Sequence, residues 1–351
     1  MRVIVLIPCY NEELTLPETL AAIPRRIPGV TSVEILVIDD GSADRTIEVA
    51  RAHGVEHILI NKANMGLGST FRRGLDMALR LDADIIVTTD GDNQYEGADI
   101  PKLVAPLVAG EYDIVVGDRE TRNIPHFSPT KKRLQKLGSQ VAAGFANVEV
   151  KDAVSGFRAI SREAAMRLNI MTSYSYSVDM LVQAGRKNMA IGWVPIRTNP
   201  KTRESRLFKS TYNFIGRQGT TMMRMYAMYK PLRAFLALGV VFLIIGLVPL
   251  VRFLVLFMMG NGEGKIQSVV LGGIFLVIGI VTVLMGLIAD LIGKNRQLLE
   301  VTLEKLRRME LDQHGFHSML VEERDFGRLG DAATRADNVV APFERRRPPG
   351  E

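Results

Sequence analysis

Ile85-Ile86-Val87-Thr88-Thr89-Asp90-Gly91-Asp92-Asn93-Gln94 is a short apolar run that ends in two acids, a glycine and two amides. A β-branched run bounded by Gly and Asn predicts a buried strand, with Asp90 and Asp92 at its carboxyl end. Open α/β sheets bind their ligands at that end. Two carboxylates and an amide oxygen at alternating positions, released from strand geometry by Gly91, can converge on one hard divalent cation, which shares its oxygen ligands with substrate phosphates. A polar turn after a strand has the same composition, so the pattern alone leaves both readings open.

Working outward, strand-like runs recur at Val3–Ile7, Glu34–Ile38, His57–Ile60 and Asp113–Val116, with stretches of helical length between them. Such near-continuous apolar strands need helices on both faces, which predicts an α/β class with a doubly wound, mostly parallel sheet. The first strand begins at Val3 with no basic and apolar leader before it, so the expectation is an N-terminal domain that stays in the cytosol. Cys9 is the one cysteine of 351 residues, which excludes a disulfide framework and suits a packing role.

Polar residues follow the other strands. Asn11, in Pro8-Cys9-Tyr10-Asn11-Glu12-Glu13, is placed to cap a helix, as is Ser42 in Asp39-Asp40-Gly41-Ser42 for a helix through Val49. Two acids beside the first-strand loop point to a binding role for Asp39 or Asp40. Asn64-Met65-Gly66-Leu67-Gly68-Ser69 lacks the spacing of a phosphate-binding or dinucleotide loop and reads as a tight turn. Further on, Asp152 to Arg158 reads as a loop carrying one Arg, a helix around Ser177–Gly185 carries Asp179, and Ile191–Ile196 reads as a strand.

The net charge of +6 suits nucleic acid or anionic lipid. Its location decides between them. Residues 200–233 hold eight Lys or Arg against the single acid Glu204, mixed with Met and aromatic residues, and directly after them Ala234–Val251 and Ile266–Ala289 are uncharged. Apolar runs of 18 or more residues predict membrane-spanning helices, so the basic segment reads as interfacial helices rather than a nucleic-acid patch. Lys230, Arg233, Lys294 and Arg296 flank the pair outside, whereas the connector has Lys265 beside Glu263. The positive-inside rule then keeps the N-terminal domain and both termini in the cytoplasm. Four regions result: a cytoplasmic domain over 1–199, juxtamembrane helices over 200–233, a two-helix hairpin over 234–290, and a cytoplasmic tail over 291–351. The tail opens with a helix over Leu298–Leu311, a candidate for self-association, and ends in a disordered segment.

Pro8-Cys9-Tyr10-Asn11-Glu12, Asp39-Asp40-Gly41-Ser42, Asp90-Gly91-Asp92-Asn93-Gln94, Gly117-Asp118-Arg119 and Ser155-Gly156-Phe157-Arg158 occur in this order. As a set they resemble inverting family 2 glycosyltransferases of the GT-A fold, and more narrowly the polyprenyl-phosphate glycosyltransferases that include dolichol-phosphate mannose synthase. The resemblance covers about residues 1–215. It implies that Pro8, Tyr10, Glu12, Asp39, Asp40 and Asp90 bind the nucleotide, and that Asp90, Asp92 and Gln94 hold Mg²⁺ or Mn²⁺. It further implies Arg119, Lys132, Arg133, Ser155, Arg203 and Arg206 around an acceptor phosphate. Asp92, Arg119, Lys132, Arg133 and Arg206 are then the groups closest to the chemistry. Glu204-Ser205-Arg206-Leu207 resembles a family segment, with Arg203 where the family usually has Gly.

The implied activity is metal-dependent transfer of one sugar from a GDP- or UDP-sugar to a polyprenyl phosphate of dolichyl or undecaprenyl type, at the cytoplasmic membrane face. A lipid phosphate is largely ionised near neutrality and needs cations to position it more than a base. Transfer to a sugar or lipid hydroxyl is the alternative. Processive enzymes of that kind carry Gln-x-x-Arg-Trp, whereas Gln183-Ala184-Gly185-Arg186 is followed here by Lys187. An inactive membrane scaffold is the third reading, and the intact acidic motif weighs against it.

Overall fold

The computed structural model describes residues 1–119, 150–170, 176–200, 231–260 and 266–325, with side chains as far as Leu311. Residues 1–204 and 304–351 form one compact unit and residues 205–303 a second.

In the first unit the expected alternation is present. Strands β1 (Arg2–Cys9), β2 (Ser32–Asp39), β3 (His57–Ile60), β4 (Ile85–Thr88), β5 (Ile114–Asp118), β6 (Arg158–Ser161) and β7 (Ile191–Pro195) form one sheet in the order β3-β2-β1-β4-β6-β5-β7. All pairings are parallel except those of β6, which runs antiparallel to both β4 and β5. The helices are α1 (Leu16–Ala22), α2 (Thr46–Ala52), α3 (Leu67–Arg80), α4 (Ile100–Val108), α5 (Arg162–Arg167) and α6 (Ser177–Arg186). Strand side chains alternate between faces. Ile4, Leu6, Leu36 and Ile38 therefore meet Phe71 and Leu75 of α3, while Val3, Val5 and Ile7 meet Leu16 of α1 and Leu103 of α4. Three layers result, helices on both faces of the sheet. Gly74 lets α3 lie this close, since a Cβ there would stand 1.9 Å from Ile38 Cδ1.

Two helix starts differ from expectation. α1 begins at Leu16 with Pro at its first turn, and Asn11 instead takes a left-handed φ of 56° in the loop before it. α2 begins at Thr46, whose N–H is accepted by Asp44 Oδ1 at 3.1 Å. Asn11 and Ser42 join their two loops: the Asn11 N–H donates to Ser42 Oγ at 2.8 Å, and Asn11 Oδ1 accepts from Ala43 N–H at 2.8 Å. The nearest polar residue was not the cap because each of these side chains found a partner across the strand ends.

The second unit holds α7 (Pro231–Met258) and most of α8 (Ile266–Asp325). Both are long and apolar enough to cross a membrane, and their apolar side chains are largely exposed. Glycines set at intervals of seven bring them together. A Cβ on Gly239 would stand 3.1 Å from Gly279 O, and one on Gly246 would stand 2.8 Å from Gly272 O. Small residues let helix backbones approach in lipid, where apolar burial between helices gives no advantage over lipid.

α8 runs unbroken through the expected Leu298 start: no Pro intervenes, and Gly293 and Asn295 are tolerated within the helix. From Glu304 it belongs to the first unit and lies against α3 and α5. Arg307 Nη1 donates to the carbonyls of Met166 at 2.9 Å and Leu168 at 3.1 Å, and its Nη2 pairs with Asp76 at 3.2 Å. Arg308 pairs with Glu163, Glu310 with Arg80 at 2.6 Å, and Leu311 is buried in the core. The start of the tail is thus a packed part of the N-terminal unit.

Candidate active site

Chain order reverses between β1 and β4, which makes their carboxyl ends the switch point where a ligand crevice opens. β1 ends at Cys9, β2 at Asp39 and β4 at Thr88, so three of the expected loops meet there.

Asp39 is 1% exposed, and its two oxygens differ. Oδ2 accepts from the N–H groups of Gly41 at 3.1 Å and Ser42 at 3.0 Å, whereas Oδ1 is buried without a hydrogen-bond partner among the described residues. A buried acceptor left unmatched costs about 1–3 kcal/mol, which makes Oδ1 a place for a ligand N–H or O–H. Asp40 serves the fold instead. Its Oδ1 accepts from Asn61 Nδ2 at 2.8 Å and Met65 N–H at 2.9 Å, and its Oδ2 from Gly66 N–H at 3.0 Å, stapling the turn before α3. Of the two acids, Asp39 is the one with an oxygen to offer.

Glu12 is buried, and its Oε2 accepts from Thr15 Oγ1 at 2.8 Å. Thr15 Oγ1 also lies 2.9 Å from Gly91 O, so the first-strand loop holds the acidic loop after β4. Tyr10 is exposed and Pro8 half-buried. Cys9 lies buried in the same loop, where burial, then Glu12, Asp39, Asp44 and Asp90, push its thiol well up. It packs and stays protonated, as expected.

In the loop after β4, Asp92 accepts from Gln94 N–H at 3.2 Å and from Gln94 Nε2 at 2.7 Å. Asn93 between them adopts a φ of 54°, a left-handed geometry that Asn tolerates, and brings carboxylate and amide side by side. Asn199 fixes the turn, its Nδ2 donating to Asn93 O at 3.0 Å and its N–H to Gln94 O at 2.9 Å. An amide's oxygen and nitrogen exchange by a simple flip. Two carboxylates and an amide oxygen therefore fit a hard cation that completes its shell with phosphate oxygens. Among the described residues no three His, Cys, Asp or Glu side chains form a metal cluster.

The far wall is the segment from Asp152 to Arg158. Gly156 abuts Asp90: a Cβ there would lie 3.1 Å from both carboxylate oxygens. Its carbonyl accepts from Thr88 Oγ1 at 2.6 Å and its N–H donates to Tyr95 Oη at 2.8 Å. Burial holds the Tyr95 hydroxyl up at about 12, so it stays protonated. Ser155 beside it is fully buried, and its Oγ has no partner among the described residues. Arg119 reaches this wall but forks onto Asp152 with Nε and Nη2.

Arg158, a residue type that usually lies at the surface, is 0% exposed. It donates to the carbonyls of Ser155 at 2.8 Å, Ser177 at 2.7 Å and Ala153 at 3.2 Å, so it organises the turn beneath Ser155. Asp179 on α6 is buried and accepts from Gln183 Nε2 at 3.1 Å. Lys132, Arg133, Arg203 and Arg206, the segment 201–230 and the connector 261–265 lie outside the described residues, as does the end of the tail. Sequence reasoning missed Thr88, Tyr95, Asp152 and Arg158 as parts of this wall. Their adjacency to the motifs Thr88–Gln94 and Ser155–Arg158 was the available signal.

Residues 4–168 match the Glycosyl transferase family 2 model. The chain is 31% identical over 202 residues to a dolichyl-phosphate hexose transferase of Haloferax volcanii, covering 56% of this chain and 83% of that protein. It is 28% identical over 206 residues to an undecaprenyl-phosphate mannosyltransferase of Micrococcus luteus, covering 56% and 83%. In structure it resembles glucosyl-3-phosphoglycerate synthase of Mycobacterium tuberculosis, crystallised with Mn²⁺ and UDP, at a TM-score of 0.50 and 22% identity over 64% of this chain and 78% of that one. With the sheet order, the acidic loop at its switch point and these relatives together, the chain belongs to glycosyl transferase family 2 and has the GT-A fold.

Proposed function

We propose that this glycosyltransferase moves one sugar from a nucleotide sugar to a polyprenyl phosphate at the cytoplasmic face of a membrane. The observation that carries the donor half is the unpartnered Asp39 Oδ1 on a strand end two places from the Asp90–Gln94 loop. A carboxylate oxygen that needs a donor suits the N–H of a nucleotide base, and the acidic loop suits the diphosphate through a cation. Asp90, Asp92 and Gln94 would hold Mg²⁺ or Mn²⁺, which neutralises charge on a departing diphosphate. The acceptor half is supported by the two apolar helices and by relatives named for polyprenyl-phosphate acceptors.

A phosphate oxygen of the lipid attacks the anomeric carbon from the face opposite the nucleotide. The bond from that carbon to the diphosphate oxygen breaks, and its electron pair leaves with the nucleoside diphosphate, inverting the sugar. Arg119 is committed to Asp152, so the acceptor's charge falls mainly to Lys132, Arg133, Arg203 and Arg206, with Ser155 Oγ facing the acceptor. The outer cation pairs Lys230/Arg233 and Lys294/Arg296 support cytoplasmic termini.

The test incubates the purified chain with GDP- and UDP-sugars, a polyprenyl phosphate and Mn²⁺, and weighs the products. An acid-labile lipid-phosphate sugar is expected, and Asp92→Ala should lower its rate at least ~100-fold, the equivalent of about 3 kcal/mol. Undiminished transfer by Asp92→Ala would overturn the metal assignment. An acid-stable glycoside would mean a hydroxyl acceptor, for which Asp179 is the base to examine.

A further inference from the structure

Gly156 is held by three hydroxyls, and they are not used alike. Its carbonyl accepts from Thr88 Oγ1 at 2.6 Å and from Tyr176 Oη at 3.3 Å, so both of those groups spend their protons on it. Tyr95 meets the same residue at its nitrogen, where the phenol oxygen accepts the Gly156 N–H at 2.8 Å. A phenol has a proton to give as well as lone pairs to fill. Among the described residues no acceptor takes the Tyr95 proton, although the side chain is buried.

The ring that carries this proton is fixed. It stacks on Phe157 with centroids 5.2 Å apart and planes 18° from parallel, and the Tyr95 backbone bridges to Thr198. The carboxylates around it have other work. Asp152 accepts from Arg119 Nε and Nη2 and from the Val154 N–H. Asp90 lies against the Cα of Gly156, where a Cβ would meet both of its oxygens at 3.1 Å, and is the acid placed to hold a cation. Ser155, the next residue along, offers a second buried hydroxyl without a partner among the described residues. Two unspent hydroxyls thus flank Gly156, with Arg119 and Asp90 both in electrostatic reach of the Tyr95 oxygen. Donors set beside a cation suit an anion rich in acceptor oxygens. Because the Tyr95 oxygen already accepts from Gly156, the bond it donates is strengthened by polarisation along the chain of hydrogen bonds.

We propose that the Tyr95 O–H donates to a phosphate oxygen in the transfer site. The proposal rests on the reading of this site as one that joins a nucleotide sugar to a lipid phosphate, which brings two phosphate sources to the wall: the diphosphate of the donor and the monoester of the acceptor. Tyr95 is then a binding residue, whereas Thr88 and Tyr176 are positioning residues that act through Gly156.

Tyr95→Phe keeps the ring on Phe157 and removes the proton. It also takes the acceptor from the Gly156 N–H, so it is paired with Tyr95→p-aminophenylalanine, which returns a donor to the same place. Calorimetric titrations of the full chain in detergent use Mn²⁺ alone, then GDP or UDP with Mn²⁺, then farnesyl phosphate. Tyr95→Phe should weaken one of the two phosphate probes about 10- to 100-fold and leave the other within about two-fold, and the amino variant should recover most of the loss. A loss confined to the nucleotide assigns the hydroxyl to the donor diphosphate, and a loss confined to farnesyl phosphate assigns it to the acceptor; either supports the proposal. Unchanged affinity for both, an equal loss on both, no recovery in the amino variant, or weaker binding of Mn²⁺ alone would each overturn it, the last by moving the contact to Asp90. None of these titrations needs turnover. A wild-type chain that makes no lipid-phosphate sugar therefore overturns the transfer reading and leaves Tyr95 to be judged by its phosphate affinities.

Discussion

Arg119 Nε donates to Asp152 Oδ2 at 2.7 Å and Arg119 Nη2 to Asp152 Oδ1 at 2.9 Å, which ties the end of β5 to the wall that carries Ser155. Burial raises the Asp152 carboxyl, and the hydrogen bonds from Arg119 outweigh it, leaving the group below the ordinary carboxylate range. Both partners are needed for either to be tolerated.

Asp152→Ala should therefore leave a buried cation unmatched and cost about 3–5 kcal/mol in unfolding experiments. Arg119→Met with Asp152→Leu removes both charges and should cost much less, since a buried pair replaced by apolar residues is often near neutral. Transfer should be lost in both. A double variant that is stable and fully active would reduce the pair to a packing device with no part in placing Ser155.

Asp39 gives a cleaner separation of binding from stability. In Asp39→Asn one oxygen can still accept from Gly41 and Ser42, while the unpartnered position becomes an NH₂ that meets a donor instead of accepting from it. Nucleoside diphosphate affinity should fall about 10- to 100-fold, from the ~1–3 kcal/mol cost of an unmatched buried group, with little change in melting temperature. Calorimetric titration of the nucleotide reads this directly. Unchanged affinity would remove the base from Asp39.

How far the sequence reached can be judged from single elements. Ile85–Val87 and Asp90–Gln94 were readable because period, composition and a glycine all point one way over ten residues. β6 was not, because Arg158-Ala159-Ile160-Ser161 is short and opens with a cation. Its burial depends on carbonyls that the chain delivers from Ala153, Ser155 and Ser177, a fact of tertiary structure. Asp152 lies 33 residues from Arg119, beyond any local rule. Asn11 and Ser42 were read as caps because capping is a local preference, and a cross-loop partner overrode it. The glycines at 239, 246, 272 and 279 were not singled out from the sequence, because only the folded hairpin shows which of them face each other.

Acid should find a weak point at Asp99. Burial raises this carboxyl, but hydrogen bonds from Arg197 and Lys102 prevail and bring it to about 2. Arg197 N–H and Nη2 both reach it at 2.8 Å, fastening the segment whose Asn199 holds the turn at Asn93. The folded value lies below the ordinary 3.8, so the stabilisation is complete above about pH 3.8 and disappears as pH falls toward about 2. The stability difference between wild type and Asp99→Asn, followed by denaturant titration, should be constant near neutrality and shrink across that window. A difference that stays flat would place the titrating group elsewhere.

The dock of α8 on the first unit turns on which of its polar contacts matters. Asp76 is raised by burial in spite of Arg307, Arg80 and Arg72, so the charged form of this acid contributes little at the dock. It keeps 44% of its side chain exposed, and half-exposed ion pairs are worth little in any case. Asp76→Asn should accordingly change stability by no more than ~0.5 kcal/mol. Arg307→Ala is a different loss, because it strips partners from the Met166 and Leu168 carbonyls at the end of α5 and removes a packed aliphatic stem. That variant should cost about 1–3 kcal/mol, and hydrogen exchange should quicken along Arg162–Leu168 while β1 and β2 stay protected. Equal losses in the two variants, or a dock released by ~1 M salt, would make the contact an ionic one and move the weight from the carbonyls to Asp76.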